Sequence, residues 1–427
     1  MKLITGSVFI LNAVIFFFQA LTKNLFPPLL IPLRETFLID NAQAGLLVTL
    51  VFLGYALARY PSGILADLYG CTRTLLLGSI MMSISFLVVA ASPNYKVMAI
   101  MTFLLGVSSG IYVTAGYTLA VIIGSRERAA TATAAFESFG ILAGLVSPLL
   151  VTFFVIYLDW YWLFVLSGLL LALFTILFIR IRGQSHDFEK QYAITNGVQV
   201  EGEDTTVSSK PGNSGNDNIW DKVYSSLGIF REPGIRSLLI WSTLVGGFGA
   251  LSGTGISSFI PTFLVEDKGF SFEVANRLYI ILAVAGFSAK IATGWLADRF
   301  GNILVLSVNL SLSIITFILL AFVKSNILLV IILALVGALF FNTNTLINSY
   351  VIRSMPHRYL GAGFGIFCTA YTAIYSMGPY MTGLLSNQFG LSRAIQISAF
   401  GAVLALVLII TSKRFVERNF LSVTNSD

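Results

Sequence analysis

The sequence predicts an all-α integral membrane protein of twelve transmembrane helices, arranged as two pseudo-symmetric six-helix bundles. Three observations predict it. The chain is 56% hydrophobic and 11% charged, with a mean hydropathy of +0.85, whereas a soluble domain carries about 25% charged residues. Apolar runs long enough to cross a hydrocarbon core of ~30 Å as helices recur from end to end. The second half of the chain also repeats the first at a fixed offset.

Polar or Gly/Pro breaks separate the first six spans at roughly 5–32, 43–67, 73–92, 96–123, 129–157 and 160–181, and the second six at roughly 236–264, 273–297, 303–323, 327–352, 359–386 and 392–412. The run after Met1-Lys2 is too long for the apolar core of a signal peptide and lacks a small-residue cleavage site, so it is read as the first span. Residues 1–182 then form an N-terminal six-helix bundle and residues 236–427 a C-terminal one with a short tail. The intervening 183–235, containing QSHDFEKQYAITNGVQVEGEDTTVSSKPGNSGNDN, is polar and aperiodic and reads as a linker loop. Within it, IWDKVYSSLGIFREPGIRS is expected to form a short surface helix leading into the seventh span. The glycine-rich GGFGALSGTG of that span is expected to unwind or bend, as broken helices do in transporters.

Of the 26 Lys and Arg, 17 fall in the loops and tails on the side of the termini and six on the other side: Arg34, Lys96, Lys268, Arg277, Lys324 and Arg393. By the positive-inside rule, both termini and the linker are cytoplasmic. The expected location is the cell membrane.

A shift of 231 positions aligns GYALARYPSGILADLYG (Gly54 to Gly70) with AGFSAKIATGWLADRFG (Ala285 to Gly301) and, without a gap, pairs Gly106 with Gly337, Pro148 with Pro379 and Arg59 with Lys290. Repeated six-helix halves mark transporter folds whose site lies near the membrane midplane.

GILADLYG and GWLADRFG resemble the two copies of the loop motif G-x-L-a-D-r-x-G-r-r of the major facilitator superfamily, and the resemblance covers nearly the whole chain. It implies secondary transport by rocking of the two halves. It also implies a gating role for the loop residues Gly63, Asp67, Gly70 and Arg73, and for their counterparts Gly294, Asp298, Arg299 and Gly301. Each copy is partial: Leu68 stands where the first basic residue belongs, and Asn302, Ile303 and Leu304 follow the second. Cations in the second and eighth helices are similar to the arrangement in nitrate/nitrite porters, but the glycine/asparagine signature of that group is absent.

Ionisable residues inside a membrane are rare and point to function. Arg59 and Lys290 each lie eight residues, or ~12 Å, inside a motif aspartate. Lys23 lies nine residues before Pro32 and shares a helix face with Gln19 and Asn12. Glu137 in the fifth span is the one membrane carboxylate, so three cations face a single acid. The excess positive charge draws in an anion, and Arg59 with Lys290 are expected to clamp it, Arg in bidentate fashion and Lys as a point charge. The alternative is a gate residue paired with Glu137 or capped by helix-end carbonyls. Glu137 is expected to carry or gate a coupled proton, or else to form a permanent salt bridge.

Further substrate contacts are expected from Gln19, Tyr112, Asn344, Tyr371 and Tyr375, with Tyr117 and Asn348 beside them; packing and interhelical hydrogen bonding are the alternatives. Cys71 and Cys368 are far apart and outside any CxxC or histidine cluster, so neither a disulfide framework nor a metal site is expected. Cofactors and catalytic residues are not expected either. There is no GxxxxGK[ST] nucleotide motif, so gradients supply the energy.

The leading function is therefore secondary transport of a small organic anion, a carboxylate first of all, coupled to protons or working by anion exchange. The alternatives are export of amphipathic drugs or import of a neutral solute with the cations as gates, and, less favoured, a non-transporting membrane sensor. The expected partners are a small anion and the lipid bilayer. Nucleic acid is not an expected partner, and the protein is expected to be a monomer.

Overall fold

A computed structural model describes residues 2–124, 129–195, 228–356 and 360–411. His357, residues 196–227 of the linker and the C-terminal tail lie outside them, as does most of the expected surface helix, of which Gly228–Arg231 forms a 3-10 turn. The first span is two helices, α1 (Lys2–Asn24) and α2 (Phe26–Phe37). The interruption at Leu25 is followed by Pro27 and Pro28 in the first turn of α2, where a missing N–H leaves no helix bond unmade. The next five spans are α3 (Asn41–Tyr69), α4 (Cys71–Ala90), α5 (Tyr95–Gly124), α6 (Ala129–Tyr157) and α7 (Trp160–Thr195). Spans seven to ten are α8 (Pro233–Glu266), α9 (Phe272–Phe300), α10 (Asn302–Phe322) and α11 (Asn326–Ser354). The eleventh is divided at Met377 into α12 (Leu360–Ser376) and α13 (Gly378–Phe389), and the twelfth starts as α14 (Leu391–Ser398) and continues to Thr411. Eleven helices among the described residues are long and apolar enough to cross a membrane; the divided eleventh span completes the twelve.

Two expectations are corrected. The glycine-rich stretch of the seventh span does not interrupt its helix: α8 runs from Pro233 to Glu266. Its glycines serve close approach instead, since a Cβ on Gly255 would lie 2.8 Å from the Gly378 carbonyl oxygen and one on Gly253 would strike the Phe340 ring. In addition, α7 continues past the expected end of the sixth span at 181, into the segment read as linker.

The chain divides into two compact units, Met1–Leu25 with Leu50–Val223 and Phe26–Thr49 with Tyr224–Asp427. In the first, α4 packs against α5 and α7, and α1 against α5, α6 and α7. Its core holds Phe86, Tyr112, Phe136, Phe164 and Phe178, all fully buried. The extension of α7 is anchored by Glu189, which is 2% exposed. Its carboxylate accepts the Thr72 backbone N–H at 2.8 Å and the Thr72 hydroxyl, which also meets Ser185. Gly70, the residue ahead of α4, has no side chain to cap that helix, so Glu189 supplies the cap.

In the second unit, α8 is the central element, packed against α2, α9, α11, α12, α13 and α14. Residues 26–49 join this unit through Arg34, whose guanidinium lies 2.5 Å from Glu266, and through the Tyr380 N–H, which donates to the Thr49 hydroxyl at 3.1 Å.

The sequence repeat is present in the geometry. Gly70 and Gly301, 231 positions apart, both end the motif loop with φ near +88° (87° and 88°), a region that a side chain disfavours. In the first unit Val51, Tyr55 and Arg59 face Gly106, Gly110 and Thr114, each pair 55 positions apart. In the second unit Leu282, Gly286 and Asp298 face Gly337, Phe341 and Arg353, again 55 apart. A constant difference means that α3 runs parallel to α5, and α9 to α11, in the same register.

Candidate substrate-binding site

In the first unit, four helices bring ionisable and aromatic side chains together within the membrane. Lys23 is near the end of α1, just before the interruption at Leu25, and Tyr55 and Arg59 are one turn apart on α3. The Lys23 ammonium sits 4.0 Å from the centroid of the Tyr55 ring, and the Arg59 guanidinium 5.8 Å from that same centroid. Two cations thus converge on one aromatic ring, whose quadrupole offsets part of their charge. Lys23 and Arg59 also lie within electrostatic reach of each other. The Arg59 backbone is fixed by Thr114 of α5, whose hydroxyl donates to the Arg59 carbonyl at 3.2 Å.

Glu137 of α6 accepts a hydrogen bond from the Tyr117 hydroxyl of α5 at 3.2 Å. Tyr117 is held edge-on by Phe16 and Phe136, at 5.4 and 5.1 Å between centroids, and those two rings stack at 4.2 Å. Arg59 and Tyr55 are both close enough to interact electrostatically with Tyr117. Gln19 and Tyr112, in contrast, are closed into the seam between α1 and α5. Gln19 donates to the Ser109 hydroxyl at 2.8 Å, and Tyr112 donates to the Asn12 backbone carbonyl at 2.6 Å. Both are buried.

In the second unit, Lys290 lies half-buried on α9 and, among the described residues, makes no ion pair or hydrogen bond. Asn344 and Asn348 share a face of α11, and the side-chain oxygen of each is buried without a hydrogen-bond partner. Tyr371 and Tyr375 continue a ladder along α12 that begins at Phe367: Phe367 and Tyr371 stack at 4.8 Å, and Tyr375 lies tilted against Tyr371 at 5.3 Å between centroids.

Of the motif residues, Asp298 forms an ion pair with Arg353 at the end of α11, a partner missed by sequence reading. A difference of 55 positions, the same as between Leu282 and Gly337, connects the two and would have signalled it. Arg299 lies over Trp295, its guanidinium 5.5 Å from the ring centroid. Glu189 was also missed; its one sequence signal is the helical spacing from Ser185.

The family model described as Major Facilitator Superfamily matches residues 13–379. The chain belongs to that superfamily. It is a multi-pass membrane protein, and the superfamily and the relatives below are transporters rather than enzymes. The niacin transporter NiaP of Acinetobacter baylyi is 23% identical over 297 residues, which cover 67% of this chain and 65% of that protein. The 4-hydroxybenzoate transporter PcaK of Pseudomonas aeruginosa is 26% identical over 285 residues, covering 61% and 59%. The chain therefore spans less than two thirds of the length of these two relatives. A Yersinia pestis protein named for multidrug resistance, MdtD, is 23% identical over 363 residues, covering 77% and 76%. Among solved structures, a mutant form of the nucleoside transporter NupG is similar with a TM-score of 0.74, covering 95% of this chain and 99% of that one at 13% identity. At that identity the likeness carries the fold alone.

Proposed function

We propose that this superfamily member is a secondary transporter of a small organic monocarboxylate, with an aromatic acid as the favoured class. The observation that carries the proposal is the convergence of Lys23 and Arg59 on the Tyr55 ring. Two cations converging on one ring in the membrane interior draw an anion toward them, and an arginine suits a carboxylate. Tyr117, half-buried between Phe16 and Phe136 and within electrostatic reach of Arg59, offers an aromatic face that favours a ring over an aliphatic chain. Niacin and 4-hydroxybenzoate, the substrates for which two relatives are named, are both aromatic carboxylates.

In this reading Arg59 and Lys23 attract the anion, and Gln19 and Tyr112 hold α1 against α5 so that Lys23 is correctly placed. Glu137, positioned by Tyr117, carries the coupled proton. The motif residues Asp67, Arg73, Asp298 and Arg299 govern exchange between states, with the termini in the cytoplasm. The test is thermal unfolding of purified protein against a panel of aromatic and aliphatic carboxylates, neutral sugars and lipophilic cations. A bound ligand at ~100 times its dissociation constant adds about 2.7 kcal/mol to the stability of the folded state. Stabilisation by carboxylates that disappears in Arg59→Gln supports the proposal. The likeness to MdtD favours a second reading, drug export, and stabilisation by lipophilic cations alone would select it.

A further inference from the structure

Lys290, itself half-buried, lies in line with a stripe of buried α9 residues, Leu282, Gly286, Thr293 and Ala297. The stripe packs on α11 in a fixed register: Leu282 against Gly337, Gly286 against Phe341, and Asp298 with Arg353. Each pair differs by 55 positions, so Lys290 falls level with Thr345. On the same stripe of α11 as Gly337 and Phe341, spaced as helical neighbours, are Asn344 and Asn348. The first unit supports this projection. Arg59 and Tyr117 are the repeat counterparts of Lys290 and Asn348, and there the guanidinium does lie within electrostatic reach of the tyrosine hydroxyl.

The register thus brings one ammonium to the level of two amide groups whose carbonyl oxygens are buried without partners. Buried acceptors in that state are uncommon and call for an explanation. A pure carboxylate can accept from the ammonium and the amide NH2 groups but leaves the two amide oxygens unpaired, because it only accepts hydrogen bonds. A hydroxyl fits both sides, since its oxygen accepts from the ammonium while its proton goes to an amide oxygen.

We infer that Lys290, Asn344 and Asn348 form a hydroxyl-reading subsite, which selects a hydroxylated organic anion over its unsubstituted analogue. The inference rests on the anion reading above and names the substrate group that this unit recognises. Each residue is a specificity determinant. Together they explain why asparagines stand at α11 positions where apolar side chains would pack at lower cost.

The experiment compares benzoate with 4-hydroxybenzoate, and propionate with lactate, as ligands of the full-length protein by calorimetry in detergent. Wild type is expected to bind the hydroxylated member of at least one pair about tenfold more tightly, the worth of one net hydrogen bond. Asn348→Leu and Asn344→Leu keep side-chain volume, and at least one of them is expected to reduce that preference to within about twofold. Melting curves of both variants without ligand, compared with wild type, serve as the folding control. A preference that persists in both variants overturns the inference, as does a wild type with no preference in either pair. In those cases anion binding itself survives. Failure of every carboxylate to bind would instead defeat the anion reading, and the subsite with it.

Discussion

Gly337 packs so closely on Leu282 that a Cβ would come within 2.2 Å of the Leu282 carbonyl oxygen, and Gly106 stands in the same relation to Val51, also at 2.2 Å. The contact therefore recurs in both units at equivalent places, and it sets the register that positions Arg59 in one and Lys290 in the other. Neither glycine is there for backbone freedom; each is there because two helix backbones touch. Gly106→Ala and Gly337→Ala should each destabilise the protein by about 1–3 kcal/mol, the usual cost of overpacking. Gly294, where a side-chain methyl would meet nothing within 4 Å, is the control. Melting temperatures that fall equally in all three variants would show that the close contact is not the cause.

The Asp298–Arg353 ion pair is more than half exposed on both sides, at 63% and 57%. Such pairs contribute about 0–1 kcal/mol, so Arg353→Gln should leave the melting temperature nearly unchanged. A gating role nevertheless predicts a transport rate altered severalfold with unchanged ligand affinity. Unchanged transport would reduce the pair to a surface contact.

Glu189 leads to the opposite expectation. Its carboxylate is buried and supplies the cap that Gly70 cannot. Glu189→Ala should cost about 1–2 kcal/mol, in the range for loss of a helix cap, and Glu189→Gln less, since an amide oxygen can still accept from Thr72. Melting curves of the two variants check this; equal losses would mean that the charge, not the hydrogen bond, matters.

The spans were legible because a bilayer demands long apolar runs, and the repeat because glycines at helix contacts, such as Gly106 and Gly337, tolerate no drift. The cationic cluster was only half legible. Lys23 and Arg59 were recognisable as charges at membrane depth, but the meeting of Lys23 with the Tyr55 ring is a tertiary contact that no spacing in the chain encodes. Glu189 escaped notice because it stands in a polar stretch whose composition resembles a loop, and helix α7 continues there only by docking on α4. Nor does glycine content separate unwinding from close packing. The run in α8 looked like a hinge, while the interruptions fall at Leu25 and Met377, each beside a proline.

A proton-coupled mechanism through Glu137 predicts that uptake loses its pH dependence in Glu137→Gln while the anion still binds. Tyr117→Phe keeps the ring held by Phe16 and Phe136 but removes the hydroxyl that orients the carboxylate. It should impair coupling more than binding. Uptake measured across pH, alongside calorimetric affinity, separates these effects. Unaltered pH dependence in Glu137→Gln would leave the carboxylate a structural role.

The Lys23–Tyr55–Arg59 arrangement carries the last prediction, in which stability and function move in opposite directions. Like charges near one another repel, and the tyrosine face they share offsets part of that, about 0.5–2 kcal/mol per cation. Functional sites commonly store such strain, and relieving it commonly costs function. Lys23→Met keeps the length of the side chain and removes its charge. Without ligand, the variant should therefore melt at a temperature equal to or above that of wild type. With a saturating carboxylate it should lose most of the stabilisation seen in wild type. A variant that melts lower than wild type and still gains the full ligand-induced shift would mean that Lys23 packs against Tyr55 for structure alone, leaving Arg59 to hold the anion without it.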